Sequence, residues 1–203
     1  MPLPEIVTNL VERFDEQKDD YKRGRYKETP VRREFIDPFF KALGWDVDNE
    51  QGYAEAYKDV VHESEVRIKG GDEAGRLKAP DYAFRIGGVR KFFVEAKKPS
   101  VNIKGDLAAS FQVRRYAWSD PNVKLAILTD FEEFAVYDGR VRPHKGDSPS
   151  KARVFYCTYD QYAEHWDHIE GLFSREAILR CAFDKFADDN SASAAPKSRA
   201  TPS

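Results

Sequence analysis

Gly87-Gly88 sits between two strand-like runs, residues 80–86 and 89–97. A glycine pair accepts the positive φ that a two-residue β-turn demands, so this stretch reads as a hairpin. Residues 106–119 follow as a helix with Asp106 at its N-cap, and the apolar run 124–129 then reads as a buried strand. Two helical segments precede the hairpin. Residues 5–22 carry Ile6, Leu10 and Phe14 at four-residue steps, with Val7 and Val11 alongside. Residues 30–43 carry Phe35, Ile36, Phe39, Phe40 and Leu43 on one stripe. Thr29 is read as the N-cap of the second helix, with Pro30 in its first turn and Gly44 closing it. Pro38 should kink or restart it. Helices, hairpin, helix and strand make a mixed α/β order.

The remaining segments are less patterned. Residues 59–68 read as one strand and 69–78 as a mobile turn; 132–137 and 153–158 read as further strands, and 159–187 as helical. From Asp188 the sequence DDNSASAAPKSRATPS has no aromatic residue and is expected to be a disordered tail. No run of eighteen apolar residues occurs, so no transmembrane helix and no membrane partner are expected. The acidic start (Glu5, Glu12, Asp15, Glu16) is unlike a secretory signal. With Cys157 and Cys181 as the two cysteines, a reducing cytoplasm is the expected location.

Net charge is −2, which excludes a uniformly basic nucleic-acid binder. The distribution is uneven. Residues 85–115 hold eight basic side chains against Glu95 and Asp106. A local positive field on an acidic body suits a focused polyanion site, and equally a solvated basic hairpin.

Pro80-Asp81 and Glu95-Ala96-Lys97 fall inside the hairpin. Glu95 and Lys97, two apart on a strand, leave the same face. Two carboxylates and a lysine at a strand surface suit a hard divalent cation and a poised water. The plain reading of Glu95 and Lys97 is a solvent-face ion pair, worth about 0–1 kcal/mol. A regular two-residue hairpin would set Asp81 opposite Val94 and leave Glu95 on the other face. The chemistry therefore needs a shifted register, a bulge, or Asp81 lying before the ladder. Glu63 reads as a strand-surface carboxylate and Trp118 as core. Cys157, His165, His168 and Cys181 fit no zinc-finger spacing.

Pro80-Asp81, Glu95-Ala96-Lys97 and then Gln112-x-x-x-Tyr116 resemble the PD-(D/E)xK nuclease superfamily, in its branch with a Q-x-x-x-Y motif found in type I restriction subunits. The runs RREFIDPFFKALGW, KFFVEAKKPSVNI, FQVRRYAWS, LAILTDFEEFAVYD and FSREAILRCAFDKFA are similar to the N-terminal nuclease region of type IIG restriction-modification enzymes, over roughly residues 28–187. The resemblance implies a restriction-endonuclease-like α/β fold, a mixed central sheet flanked by helices. It also implies one nuclease domain over 1–187, its core at about 28–158, with the tail at 188–203.

The same resemblance implies Asp81 and Glu95 as metal-binding carboxylates, the Ala96 carbonyl as an extra ligand and Lys97 as the catalytic lysine. It implies Glu34 as an acidic residue beside the metal, and Gln112 and Tyr116 near the scissile phosphate or the DNA backbone. Lys98, Arg114 and Arg115 are further DNA-binding candidates in the basic segment. The implied activity is Mg²⁺-dependent cutting of double-stranded DNA, with Mn²⁺ as a substitute and a 5′-phosphate product. No N-P-P-Y motif is present, and the resemblance implies that an N6-adenine methyltransferase and a target-recognition region lie C-terminally in a longer protein. Two other readings stand beside this one: a non-cutting DNA-binding module on the same fold, and a defence nuclease acting on other nucleic acid.

Overall fold

The computed structural model describes residues 2–181. The expected tail, and the end of the helical stretch expected over 159–187, lie outside the described residues. Helix α1 (Glu5–Lys22) buries Val7, Leu10 and Phe14 of the expected stripe, and Tyr21 beyond it, whereas Ile6, expected to lead that stripe, is 44% exposed. The next helical stretch starts earlier than Thr29-Pro30 suggests. It runs as α2 (Glu28–Val31), a π turn (Arg32–Ile36) and α3 (Asp37–Ala42). Pro38 sits in the first turn of α3, where its missing N–H costs least, and the widened turn before it takes up the irregularity. Gly44 closes the stretch at φ +85°.

Residues 59–68 form two short strands rather than one, β1 (Val60–His62) and β2 (Val66–Arg67), parted at Glu63, whose φ is +51°. The stretch read as a mobile turn contains β3 (Leu77–Lys78), which pairs with β2. Then come β4 (Tyr82–Ile86), β5 (Val89–Ala96), α4 (Leu107–Ser119), β6 (Leu125–Thr129), β7 (Glu133–Asp138) and β8 (Arg153–Thr158). The Asp106 side chain caps α4, accepting from the Ala109 N–H at 2.8 Å. The C-terminal helical stretch is α5 (Tyr162–Phe173) and α6 (Arg175–Leu179), broken at Ser174, which caps α6.

The main sheet is mixed, in the order β1-β4-β5-β6-β7-β8. Only β5 and β6 are parallel, because α4 is the crossover between them; the other neighbours are antiparallel. Each face has its own core. On one, α1, α3, α5 and the π turn pack aromatic side chains over Phe84, Phe92, Val94 and Ala96. On the other, α4 and the β2–β3 hairpin cover Ala83, Phe93, Ala126 and Leu128. Gly139, just past β7, allows close approach to α4. A Cβ there would lie 2.5 Å from the Cβ of Ala117. This is the restriction-endonuclease-like arrangement expected, a mixed sheet flanked by helices.

Candidate active site at the end of the hairpin strands

The register of β4 and β5 decides whether a site exists. Ile86 pairs with Val89 and Arg85 with Arg90, as a tight Gly87-Gly88 turn requires, but Phe84 then pairs with Phe92. Lys91 is thus the extra residue of a β-bulge. Beyond it Ala83 pairs with Phe93 and Tyr82 with Val94, which brings Asp81 level with Glu95. Ala83 and Phe93 both belong to the α4-side core. Two residues further on, Asp81 and Glu95 leave that same face, and Lys97 follows. The bulge is therefore the device that unites the two carboxylates. The Asp81 Oδ2 accepts from the Ala96 N–H at 2.7 Å, fixing that carboxylate against β5.

Glu95 is 4% exposed. Its Oε1 accepts from the Lys97 Nζ at 2.8 Å, while its Oε2 is buried with no hydrogen-bond partner. Burial, and then the neighbouring Asp81 carboxylate, push its pKa up to about 7 against the pull of Lys97. Burial opposes the charge on Lys97, but Glu95, Glu28 and Asp81 outweigh it and hold its pKa above the ordinary lysine value. The ammonium also donates to the Gln112 Oε1 at 3.1 Å, and the Gln112 Nε2 donates to the Tyr116 hydroxyl at 3.0 Å. Gln112 and Tyr116, one turn apart on α4, thus continue a polar chain that begins at Glu95. The Tyr116 ring is buried in the α4-side core, so this residue serves both packing and the site.

Glu34 is not among these groups. It lies exposed beside Tyr26, whose phenol its carboxylate helps to hold protonated, and its backbone carbonyl accepts from Arg13. Glu28 is the helix acid that faces the site. Burial and then Asp81 raise its pKa, while Lys97, Arg32 and Lys98 act the other way. Arg32, one turn on, donates to the Asp81 Oδ1 at 3.0 Å and to the Asp81 carbonyl at 3.3 Å, with its guanidinium over the Tyr82 ring. Sequence reasoning missed both residues because Thr29 as N-cap left Glu28 outside the helix. Their four-residue spacing was the signal.

The basic segment is mostly occupied within the protein. Arg85 donates to the carbonyls of Lys58 and Glu55; Arg90 is held by Asp120, Ser64 and the Glu65 carbonyl. Arg114 is 1% exposed and paired with Asp147 at 2.9 Å. It ties α4 to the loop after β7 and cannot reach DNA, contrary to the expectation from sequence. Arg115 pairs with Glu73. Lys98 is exposed beside the site. Glu63 is exposed, with Arg32 3.9 Å away. Cys157 is buried, its thiol pushed up to about 12 by burial and then Asp160.

Among the described residues, no three His, Cys, Asp or Glu side chains are grouped as a metal cage. Mg²⁺ does not need one: it takes one or two carboxylates and keeps several waters. The donor set fits such an ion. Asp81 and Glu95 share a face, and the Glu95 Oε2 is a buried carboxylate oxygen that no protein group satisfies. No helix among the described residues is long and apolar enough to cross a membrane.

Residues 25–145 match the family described as type I restriction enzyme R protein N terminus. Over 178 residues, 88% of the chain, it is 34% identical to the type II restriction enzyme and methyltransferase RM.Eco57I of Escherichia coli. The chain spans 17% of the length of that relative. No solved structure matches. With the family match covering the hairpin, the three charged residues and the whole of α4, the chain belongs to the family of type I restriction enzyme R protein N-terminal domains.

Proposed function

We propose that this chain is a DNA-cutting domain of a restriction-modification system that hydrolyses phosphodiester bonds with Mg²⁺, Mn²⁺ serving as a substitute. The observation that carries this reading is the unsatisfied Glu95 Oε2 on the same face as Asp81, beside a lysine bound to Gln112. Asp81, Glu95 and the Ala96 carbonyl are the groups that would hold the ion. When bound, the ion supplies an acidified water and charge neutralisation at the phosphodiester.

The protein's own residues do the rest. Lys97 carries three N–H donors. Two are engaged by Glu95 and Gln112, which leaves one for the attacking water or the oxygen on which charge develops. Gln112, held in turn by Tyr116, orients that ammonium. Arg32 and the Ala96 N–H fix Asp81, so the carboxylate is positioned before any ligand arrives. Burial of Glu95 excludes water from the inner side of the site.

The relative's name joins a restriction enzyme to a methyltransferase. By analogy, this domain works beside an N6-adenine methyltransferase and a target-recognition region, which read the DNA sequence. The domain alone then cuts double-stranded DNA without a defined site. The test is supercoiled plasmid incubated with Mg²⁺, Mn²⁺ or EDTA, for wild type and Lys97→Ala, with the cut ends sequenced. Metal-dependent cutting at scattered positions, lost in Lys97→Ala, is expected. No cutting with either metal, with duplex binding intact, is the outcome for a non-cutting binding module. Cutting of RNA in preference to duplex DNA is the outcome for a defence nuclease.

A further inference from the structure

Beyond Gln112 and Tyr116, the surface of α4 does not close. A cleft of about 200 Å³ is lined by Glu73, Lys78, Phe111, Gln112, Arg115 and Tyr116. It shares Glu73, Phe111 and Arg115 with a larger cleft of about 620 Å³ that runs on past Trp118 to Arg142 and Lys145. One wall is α4. The other is the β2–β3 hairpin, seated on α4 through Val66 and Ile68 in the core and through the Lys69 N–H, which donates to the Ser119 Oγ at 3.0 Å. The two clefts thus form a groove that starts at the polar chain from Lys97 and leads away from it.

Near its start a single carboxylate gathers three cations. Glu73 pairs with Arg115, lies 3.4 Å from Lys78 and 3.7 Å from Arg76. It is carried on the hairpin's connecting segment, where Gly70, Gly71 and Gly75 all have positive φ. An oxyanion presented to an arginine and a lysine within an open groove is the arrangement a phosphate diester would also satisfy. The Arg115 and Glu73 side chains keep 17% and 27% exposure, so the pair is reachable from the groove.

We infer that this groove is a phosphate track for the DNA strand flanking the cut, in which Glu73 occupies the place of a backbone phosphate until DNA displaces it. The inference rests on the nuclease reading for the identity of the strand, but its binding chemistry is separate from Asp81 and Glu95. Arg115 and Lys78 are the phosphate ligands, and Glu73 is their intramolecular competitor.

The test is fluorescence anisotropy of the chain with a labelled duplex in EDTA, over a range of salt. Glu73→Gln should tighten binding several-fold at low salt, because the competitor loses its charge. Arg115→Ala and Lys78→Ala should each weaken binding several-fold and lower the slope of log K against log salt by about 0.9, one phosphate contact each. Lys78 is 42% exposed, so its variant reports without risk to the core. A Glu73→Gln variant that binds no better than wild type, or unchanged slopes in both cation variants, would overturn the track. The two readings fail separately. Moved slopes without Mg²⁺-dependent plasmid cutting remove the nuclease and leave the track; cutting with unmoved slopes does the reverse.

Discussion

The two faces of the central sheet are built from different materials. On the face covered by α1, α3 and α5, Phe84 and Phe92 stack with centroids 4.4 Å apart, and Phe40 and Trp45 pack against Phe84 at 4.6 and 5.0 Å. On the α4 face, Ala83, Ala109, Ala117, Ala126 and Ala135 keep the layer thin. Buried polar groups, Glu95, Arg114 and Asp120, stand at its margins. The aromatic face supplies burial and a fixed sheet. The α4 face uses that fixed sheet to hold a buried carboxylate and a lysine at a cost. Aromatic burial and the candidate site thus lie on opposite sides of the same strands, through the alternation of side chains along β5.

Substitutions on the two faces should therefore differ in size and sign. The largest effect is expected on the aromatic side. Phe84→Ala, at a fully buried ring, should cost about 3–5 kcal/mol in chemical denaturation. A loss below about 1 kcal/mol would mean that this face does not carry the fold.

Next in size is Glu95→Gln, which should stabilise the metal-free protein. The folded-state pKa of about 7 lies above the ordinary glutamate value of 4.5. Between these values the folded chain keeps a proton that the unfolded chain has lost, so ionising the folded chain costs stability as pH rises. The cost is absent below about pH 4.5, grows through about pH 7 and is constant above it, at roughly 3–4 kcal/mol. Melting curves of wild type and Glu95→Gln should coincide at pH 4 and separate at pH 8, with the variant higher. A variant that melts lower at pH 8 would contradict the buried, unsatisfied carboxylate.

Smallest is Tyr116→Phe. It keeps the buried ring and removes one hydroxyl, so stability should change by no more than about 1 kcal/mol. Plasmid cutting should slow, because Gln112 loses its anchor and Lys97 its orientation. Unchanged cutting would confine Tyr116 to packing.

Much of this architecture was legible in local chemistry. The 5–22 helix, the Asp106 cap and the 153–158 strand appear where periodicity and capping put them. Gln112 and Tyr116 at helical spacing, and Glu95 and Lys97 at strand spacing, have the mutual contacts those periods require. What local patterns did not supply was tertiary. The bulge at Lys91 has no strong residue signature, since it comes from fitting a tight glycine turn to a register set by the cores. Glu28 replaces Glu34 beside the carboxylates because the helix begins before Thr29. The basic run 85–115 gave a charge total but not the partners; Asp120, Asp147 and Glu73, which neutralise Arg90, Arg114 and Arg115, come from distant segments.

In the proposed reading, the bulged hairpin makes Asp81 and Glu95 one divalent-cation site. Direct titration of Mn²⁺ into the chain, followed by electron paramagnetic resonance from pH 5.5 to 8.5, tests it without any cutting step. Binding should strengthen as pH rises through about 7, where Glu95 releases its proton to solvent and the carboxylate becomes available to the ion. It should disappear in both Asp81→Asn and Glu95→Gln. Mn²⁺ binding that persists in either variant, or that shows no change across this pH range, would contradict the account.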